Sequence, residues 1–420
     1  MSVSVSPASS RTASVDLRRR PGPARLPRAS KLRTAVAERL VRHALGGLPV
    51  RVRLAGRETI GHGGPLMDVR DPAAFFRRIG ARGLLGFGES YMAGEWEAPD
   101  LVGLLTVFAE NAATLVPGPL QRLRGAWAPR RPARHRNTTS GSQANVSHHY
   151  DLSNELFALF LDETLTYSSA LFRGFPAERQ LLPAAQHRKI DRLLDLAQVG
   201  QGTQLLEIGT GWGELAIRAA QRGARVLTVT FSREQQALAQ QRVRAAGLQD
   251  RVTVLLRDYR KVLGRYDAIV SVEMIEAVGA EFWPGYFQTL DRLLAPGGRI
   301  ALQTITMPHD RMLASLDTYT WVQKYIFPGG QLPSSEAIEQ IVAGCTGLTT
   351  AARDGFGPHY AETLRLWRER FTEHAEEVEA LGFDEVFRRM WTFYLAYSEA
   401  GFRSGYLDVQ QLLLTKGEAA

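Results

Sequence analysis

A glycine-rich loop is the part of the sequence whose residue types and spacing point most directly to chemistry. The loop reads Gly-Thr-Gly-Trp-Gly over residues 209–213 and follows the short apolar run 204–208 directly. Glycines at such positions let the chain turn sharply and let a ligand approach the main chain closely. Nucleotide-type cofactors bind at junctions of this strand–loop–helix kind. We therefore predict a cofactor site at this loop.

The spacing of the glycines argues against a dinucleotide. A dinucleotide-binding loop has the pattern G-x-G-x-x-G, followed about 20 residues later by an acidic residue that binds the ribose. Here the pattern is G-x-G-x-G, and the second apolar run ends at Thr230-Phe-Ser232 without an acid. Within the loop, Trp212 could be a wall of the cofactor site or ordinary core, and Gly213 could serve only helix packing.

The segments around the loop alternate between strand and helix patterns, which predicts a parallel sheet with the ligand at the carboxyl ends of the strands. A helix is predicted from Arg233 to Ala246. The predicted strands are residues 204–208, 226–229, 252–256, 268–272 and 300–304.

Four segments follow from composition and patterning. Residues 1–30 are rich in Ser, Arg and Pro and are predicted to be a disordered basic tail. Residues 31–116 alternate short helix and strand patterns and predict a small α+β domain. Residues 117–144 combine prolines with an arginine cluster, which is typical of a linker. Residues 145–420 form the large domain.

Within the small domain, apolar spacing predicts a helix from Lys31 to Leu45 and a strand from Val50 to Leu54. Asp71 and Pro72 are expected to begin a second helix, since both residue types are favoured at helix starts. Residues 101–108 form a further apolar segment.

The overall composition is that of an ordinary globular protein, with 45% hydrophobic and 22% charged residues. The sequence contains no run of 18 or more uncharged apolar residues, so no segment is predicted to span a membrane as a helix. Arg18, Arg19 and Arg20 are not followed by the apolar block of a secretory signal, so a cytoplasmic protein is expected. The single cysteine, Cys345, cannot form an internal disulfide and is expected to be buried in the core.

The net charge of +8 is distributed unevenly. Residues 1–35 carry +7 and residues 117–146 carry +6, so the rest of the chain is slightly acidic. Basic segments of this kind bind anionic lipid headgroups or nucleic acid, or are simply solvated. Charge alone leaves these alternatives open.

Several further motifs occur in a fixed order along the large domain, and together they resemble the cyclopropane-fatty-acyl-phospholipid synthase family of class I S-adenosylmethionine-dependent methyltransferases. The resemblance implies a Rossmann-like α/β fold with a mainly parallel seven-stranded sheet, beside the small N-terminal domain. The motifs are Asn145-Val-Ser-His-His-Tyr-Asp-Leu-Ser-Asn154, Leu161-Asp-Glu-Thr-Leu-Thr-Tyr-Ser-Ser169, Glu207-Ile-Gly-Thr-Gly-Trp-Gly213, Val229-Thr-Phe-Ser-Arg-Glu-Gln235, Ser271-Val-Glu-Met-Ile-Glu-Ala-Val-Gly279, Leu293-Leu-Ala-Pro-Gly-Gly298, Tyr325-Ile-Phe-Pro-Gly-Gly330 and Gly357-Pro-His-Tyr-Ala-Glu-Thr-Leu-Arg-Leu-Trp367.

The same resemblance implies S-adenosylmethionine as the cofactor. Tyr167 and Ser168 would line its site, and Gly209 and Gly211 would approach its amino-acid part. The other residues assigned to the cofactor are Trp212 and Gly213 in the loop, Thr230 and Gln235 near the ribose, and Asp258 and Tyr259 near the adenine. No metal site is predicted, because His148 and His149 have no further ligands at suitable spacing.

The chemistry implied is methylation of an isolated alkene, which is a weak nucleophile and requires a dry, apolar tunnel. Each candidate tunnel residue could equally be ordinary core, and the candidates are Phe157, Phe160, Leu161, Phe172, Trp283, Phe287, Tyr319, Trp321, Phe327, Trp391 and Phe393. A proton must then leave, from the new methyl group to close a cyclopropane or from an adjacent carbon to leave a branched alkene.

In the family this proton is taken by a bound bicarbonate. Here Glu276 and Tyr360 match two of the residues that hold it, and Ile305 matches the main-chain contact. Ser169 stands where a cysteine is usual, and Gln303 stands where many members have histidine. Serine and glutamine still donate hydrogen bonds, so bicarbonate binding remains an expectation. Glu276 itself is an alternative base.

The leading hypothesis is cyclopropane formation on unsaturated phospholipid acyl chains at the membrane surface, by an enzyme peripherally attached to the inner face of the membrane. The main alternative is a mid-chain methylene or methyl branch on the same substrate, which the Ser169 and Gln303 departures favour. A natural-product methyltransferase and a non-catalytic lipid- or nucleic-acid-binding relative are further alternatives. No nucleic-acid partner is expected under the leading hypothesis, and a homodimer is the expected assembly.

Overall fold

The fold is given by a computed structural model of the chain, which describes residues 25–112, 132, 153–316 and 318–417. Most of the predicted basic tail and linker, together with His148 and His149, lie outside the described residues. The boundaries proposed at 116 and 144 therefore remain predictions.

The N-terminal part is a four-stranded sheet with helices packed beside it. The strand order is β2-β1-β3-β4, with β1 and β3 parallel and the outer pairs antiparallel. Asp71 caps the second helix by accepting from the backbone N–H of Ala74, as expected from its sequence position. The elements are α1 (Lys31–Gly46), β1 (Arg51–Leu54), β2 (Arg57–Ile60), β3 (Leu66–Val69), α2 (Pro72–Arg82), α3 (Leu84–Met92), β4 (Trp96–Glu97) and α4 (Leu101–Glu110).

The large sheet has seven strands in the order β10-β11-β9-β8-β5-β6-β7. Strands β5 to β9 pair in parallel, and β11 is antiparallel to both of its neighbours. The predicted α/β fold with a mainly parallel seven-stranded sheet is confirmed. The strands are β5 (Gln204–Ile208), β6 (Arg225–Thr230), β7 (Val252–Leu256), β8 (Tyr266–Val272), β9 (Leu294–Thr306), β10 (Leu348–Gly355) and β11 (Asp408–Lys416).

Helices cover both faces of this sheet, and short 3₁₀ turns at 179–181, 259–261, 275–277 and 280–282 connect the elements. The helices are α5 (Asn154–Phe160), α6 (Leu182–Leu196), α7 (Glu214–Gln221), α8 (Arg233–Ala245), α9 (Trp283–Leu293), α10 (His309–Ser315), α11 (Trp321–Tyr325), α12 (Ser335–Cys345), α13 (Gly357–Glu373), α14 (Ala375–Ala380) and α15 (Glu385–Arg403).

Two apolar cores result from this layering. Helices α6, α7 and α8 pack on one face of the sheet, and α9 and α12 pack on the other. Cys345 at the end of α12 is exposed, so the prediction of a buried cysteine was wrong. The apolar pattern of α12 places Ile338 and Val342 on the buried face, and Cys345 falls outside that stripe.

The small sheet and its helices are joined to the large sheet's helices by aromatic and ionic contacts. The Phe393 ring of α15 lies 5.2 Å from Tyr91 and 4.9 Å from Trp321, measured between ring centroids. A Cβ atom at Gly88 would come within 2.4 Å of the Trp321 ring, so only glycine allows this approach. The two parts of the chain therefore share one continuous core.

Glu89 is the ionic centre of this junction and is completely buried. Its carboxylate accepts from Arg82 at 2.7 and 2.8 Å, from Lys324 at 2.5 Å and from the Tyr325 hydroxyl at 2.8 Å. Arg82 belongs to the N-terminal part, whereas Lys324 and Tyr325 belong to α11. A buried carboxylate is stable only when it is paired in this way.

We predict that Glu89→Gln destabilises the protein by about 3 kcal/mol, because Arg82, Lys324 and the Tyr325 hydroxyl lose the negatively charged carboxylate to which they donate. Chemical unfolding measures this change. Glu38→Gln is the matched control: Glu38 pairs with Arg42 on the exposed face of α1, and such surface pairs contribute less than about 1 kcal/mol. Equal effects of the two substitutions would contradict the assignment of Glu89 as the centre of the junction.

Candidate active site

One large cavity of about 1540 Å³ runs from the glycine-rich loop to the N-terminal helices. At one end it is lined by residues 207–212, which form the end of β5 and the loop after it, and by the end of β6. At the other end it is lined by apolar residues of α1, α2 and α4. A cofactor-type loop and an apolar channel therefore open into the same space.

The glycine-rich loop has the backbone that the sequence predicts. Gly209, Gly211 and Gly213 all have positive φ angles, of 98°, 53° and 92°. The N–H groups of Gly209 and Thr210 donate to the carbonyl of Val229, which fixes the loop to β6. A Cβ atom at Gly211 would meet no atom within 4 Å, so this glycine faces open cavity.

Gly213 has a different role from its two neighbours. A Cβ atom there would lie 3.1 Å from the Cβ atom of Ala239, so this glycine allows α8 to pack closely against the start of α7. Gly213 does not line the cavity. Of the two interpretations open for this residue, the structure favours helix packing.

Most of the other residues assigned to the cofactor do line the cavity: Tyr167, Ser168, Gly209, Trp212, Thr230, Gln235 and Tyr259. The Thr230 hydroxyl donates to Oε1 of Gln235 at 2.8 Å, so the amide nitrogen of Gln235 is left to donate to a ligand. The Trp212 indole is both cavity wall and core, since it donates to Asn154 at 2.8 Å and packs on Phe157.

Asp258 lies outside the lining of the cavity. Its carboxylate accepts from the backbone N–H of Arg260 at 2.9 Å and from the guanidinium of the same residue at 2.7 Å. This pairing shapes the turn that carries Tyr259 to the cavity. Asp258 is therefore placed to position its neighbour rather than to contact a ligand.

Glu207 at the end of β5 was not assigned a role from the sequence, yet it lines the cavity beside the glycines. Burial has the largest effect on the pKa of its carboxyl and raises this pKa to about 8. One of its oxygens accepts a hydrogen bond from the Thr228 hydroxyl, which lowers the pKa by a smaller amount. Its buried Oε2 atom has no hydrogen-bond partner among the described residues. An unsatisfied acceptor next to an open glycine loop suits the amino group of a bound amino acid, so the site fits S-adenosylmethionine.

A second cluster lies where the cofactor end of the cavity meets its apolar end, and Glu273 is its centre. Oε1 of Glu273 accepts from the backbone N–H of Ser169 at 3.0 Å and from Nε2 of Gln303 at 2.9 Å. Oε2 accepts from the Tyr360 hydroxyl at 2.7 Å. Ser169, Gln303 and Tyr360, which the sequence analogy assigns to a bicarbonate ion, therefore donate hydrogen bonds to the carboxylate of Glu273 instead.

A chain of side chains orients the Gln303 amide. Arg192 donates to Oε1 of Gln411 at 2.7 Å, and Nε2 of Gln411 donates to Oε1 of Gln303 at 3.0 Å. The amide nitrogen of Gln303 must therefore point the other way, toward Glu273. The Ser169 hydroxyl donates to the carbonyl of Ala170 at 3.0 Å, so only the backbone of Ser169 serves the cluster, and not the side chain as expected.

Glu276 is the second carboxylate of the cluster. Its Oε1 accepts from the backbone N–H of Ile305 at 2.5 Å and from the Thr304 hydroxyl at 2.9 Å. Its Oε2 is buried and has no hydrogen-bond partner in the described part of the chain. Burial and the charge of Glu273 raise the pKa of Glu276 to about 8.

The two carboxylates share one buried site, so they titrate together. Burial also raises the pKa of Glu273, while the charge of Lys189 and the three hydrogen bonds lower it. Glu273 has more stabilising partners than Glu276, which favours the ionised form of Glu273 and the protonated form of Glu276 at neutral pH. Lys189 is fully buried and donates to the Ser168 hydroxyl at 2.6 Å.

The tunnel residues proposed from the sequence separate into two groups. Tyr319, Trp321, Phe327 and Phe393 line the cavity. For the others the structure favours the alternative of ordinary core. Phe157, Phe160, Leu161, Phe172 and Trp391 belong to the core shared with the N-terminal part, and Trp283 and Phe287 belong to a core of the large sheet.

We predict that Gly211→Ala weakens S-adenosylmethionine binding at least tenfold, because the added methyl group enters the open cradle of the loop. Gly202→Ala is the matched control: Gly202 also has a positive φ, of 81°, with nothing within 4 Å of its Cβ position, and it lies outside the cavity lining. Isothermal titration calorimetry measures both affinities. Equal losses would mean that backbone strain, rather than occupancy of the cradle, causes the effect.

The sequence matches the family model described as mycolic acid cyclopropane synthetase over residues 137–412. It is 53% identical to the tuberculostearic acid methyltransferase UfaA1 of Mycobacterium tuberculosis over 414 residues, which cover 96% of this chain and 97% of that protein. It is 35% identical to the cyclopropane-fatty-acyl-phospholipid synthase of Escherichia coli K12 over 348 residues, covering 82% and 86%.

The fold is similar to that of the mycolic acid cyclopropane synthase CmaA1 in complex with SAH and CTAB. The TM-score is 0.60 at 34% identity, and the similarity covers 65% of this chain and 98% of that one. The family match, the identity over nearly the full length and the shared fold agree with the glycine loop described above. This chain therefore belongs to the mycolic acid cyclopropane synthetase family of S-adenosylmethionine-dependent methyltransferases.

Proposed function

We propose that this enzyme methylates the cis double bond of an unsaturated phospholipid acyl chain and forms a mid-chain methylene branch. The observation that carries the proposal is the single cavity that joins the cofactor loop to a long apolar channel, with Glu273 and Glu276 at the junction. A chain entering from the apolar end would bring an interior double bond, rather than its headgroup, to the cofactor.

The walls of the channel favour an acyl chain over a polar small molecule. From the junction outward, the lining changes from tyrosines to mainly apolar side chains of the N-terminal helices. Such a surface binds hydrocarbon by excluding water and offers few polar groups to orient a small natural product. The outer lining includes Leu40, Val41, Phe75, Ile79, Phe87 and Phe108.

The chemical step requires three changes on the acyl chain. S-adenosylmethionine supplies an electrophilic methyl group. The π electrons of the alkene form the new C–C bond as the C–S bond breaks, which leaves a carbocation on the neighbouring carbon. A hydride shift moves the charge to the methyl-bearing carbon, and loss of a proton from the new methyl group gives the methylene. Aromatic faces in the cavity, such as those of Phe327 and Tyr394, stabilise the cation by about 0.5–2 kcal/mol.

The branching product is favoured over the cyclopropane of the leading hypothesis. The relative that is 53% identical is named a tuberculostearic acid methyltransferase, whereas the relative named a cyclopropane synthase is 35% identical. Ser169 and Gln303, which depart from the usual pattern of the cyclopropane-forming enzymes, both lie in the cluster around Glu273. The methylene product also needs no reductant, which a saturated methyl branch would require.

We predict that purified enzyme converts S-adenosylmethionine and vesicles of dioleoyl phospholipid into a fatty ester that is heavier by 14 mass units. The ester takes up hydrogen under conditions that spare cyclopropanes, because it retains a double bond. Mass spectrometry before and after hydrogenation measures both properties. A 14-unit product that resists hydrogenation would restore the cyclopropane hypothesis, and no product at all would contradict a lipid substrate.

The outer end of the cavity has the character of a membrane-contacting surface. Leu32 and Val36 on α1, Leu84 on α3 and Leu313 on α10 line the cavity and are exposed. Lys31, Arg33, Arg39 and Arg42 lie on the same helix as the first two. Exposed apolar side chains beside cations bind anionic bilayers. We propose that this rim receives the phospholipid from the membrane and that residues 31–116 form the lipid-associated domain.

We predict that Leu32→Asp lowers activity on anionic vesicles several-fold and leaves S-adenosylmethionine affinity unchanged, because a charge at the rim opposes contact with the acyl region. Leu263→Asp is the matched control, since Leu263 is 76% exposed, Leu32 is 75% exposed, and only Leu32 lines the cavity. Vesicle co-sedimentation and turnover are measured for both variants. Equal behaviour would exclude the rim as the site of lipid entry.

A further inference from the structure

Glu273 is a partly buried carboxylate for which the sequence predicted no role. Its partners come from three separate parts of the fold: Ser169 from the loop before α6, Gln303 from β9 and Tyr360 from α13. Glu273 also lines the cavity at the junction of the cofactor end and the apolar channel. The three hydrogen bonds therefore hold the Glu273 carboxylate in a fixed position where it can contact a substrate in the cavity.

The same three residues were expected to help hold a bicarbonate ion, and the structure does not fit that expectation. Tyr360 has one hydroxyl hydrogen, and Glu273 already accepts it. The Gln303 amide nitrogen is committed to Glu273 and, at 3.4 Å, to the carbonyl of Ser169. The Ser169 N–H is also taken. A bicarbonate would have to compete with Glu273 for every one of these donors.

We propose that the Glu273 carboxylate takes the place of the expected bicarbonate and is the base that completes the reaction, which makes the enzyme independent of bicarbonate. This inference rests on the proposed function. Glu273 would be a catalytic residue, and Gln303 and Tyr360 would position it.

The step balances without a further reactant. The carbocation loses a proton from the new methyl group, and the electrons of that C–H bond become the second bond of the methylene. The proton goes to an oxygen of Glu273, which is ionised before the step and neutral after it. Burial raises the pKa of Glu273 and so strengthens it as a base, while Lys189 and the three hydrogen bonds favour the ionised form before reaction.

The backbone at Glu273 supports a dedicated role. Its φ angle is +52°, in the left-handed region that disfavours residues with a Cβ atom. Glycine would relieve this strain, so retaining glutamate here keeps a costly conformation for the sake of its side chain. The same geometry makes Glu273→Gly a useful variant, because it removes the carboxylate and leaves the three donors in place without new strain.

The test compares the wild type with Glu273→Gln and Glu273→Gly in buffers freed of carbon dioxide, using dioleoyl phospholipid vesicles. The wild type is expected to keep its full rate without bicarbonate. Both variants are expected to lose on the order of 10²- to 10⁴-fold in kcat, the usual contribution of a general base. Their affinity for S-adenosylmethionine, measured by calorimetry, is expected to stay within a few-fold of the wild type.

Added bicarbonate, formate or acetate is expected to raise the rate of Glu273→Gly at least tenfold and to leave Glu273→Gln unchanged, because only the glycine variant has space for the anion. Glu281→Gln, at an exposed position eight residues later in the chain, is the control and is expected to keep the wild-type rate.

A wild-type rate that depends on bicarbonate would overturn the proposal, as would full activity of Glu273→Gln. A glycine variant that no small carboxylate rescues would also overturn it. Failure of the proposed function is distinguishable from these outcomes, because then the wild type itself would form no 14-unit product under any condition.

Discussion

The burial of two carboxylates at one point of the cavity is the constraint on which the rest of the site depends. Glu273 and Glu276 line the cavity and are both partly buried, and the loss of hydration at each carboxylate is unfavourable unless hydrogen-bond donors compensate for it. Those donors come from β9, from α13 and from the loop before α6. Strands, helices and loop must therefore meet at this point before either carboxylate is stable.

The layered architecture supplies this meeting point. The cofactor loop follows β5, and β8, the neighbour of β5 in the sheet, ends just before the two glutamates. Because the carboxyl ends of parallel strands share one edge, the cofactor end of the cavity and the carboxylates lie side by side. The N-terminal part then extends the cavity with an apolar channel, and the Glu89 cluster holds it against α11.

The sequence was sufficient for features that depend on local pattern. Five of the seven strands of the large sheet, the capped helix at Asp71 and the glycine-rich turn were predicted from periodicity and residue type, whereas β10 and β11 were not. Features that depend on tertiary packing could not be predicted from the sequence. Glu273 sits three residues before Glu276 in a recognised motif, but only the fold shows that it takes the donors of Ser169, Gln303 and Tyr360.

Other differences have the same origin. Trp283 and Phe287 are aromatic like Tyr319 and Trp321, and only their positions in the fold separate core residues from cavity lining. Asp258 has the residue type of a ligand-binding acid, yet the arginine two residues later takes its carboxylate. The sequence shows that Asp258 and Arg260 are close enough along the chain to form an ion pair. Whether they do so depends on the conformation of the turn between them.

The central claim is that a carboxylate of the chain itself occupies the oxyanion position beside the cofactor. The most direct measurement is a crystal structure of the enzyme with S-adenosylhomocysteine, grown in the presence of bicarbonate. We predict that the Glu273 carboxylate accepts hydrogen bonds from Ser169, Gln303 and Tyr360, with no separate ion among these donors. A bicarbonate ion bound to the three donors, with Glu273 turned away, would contradict it.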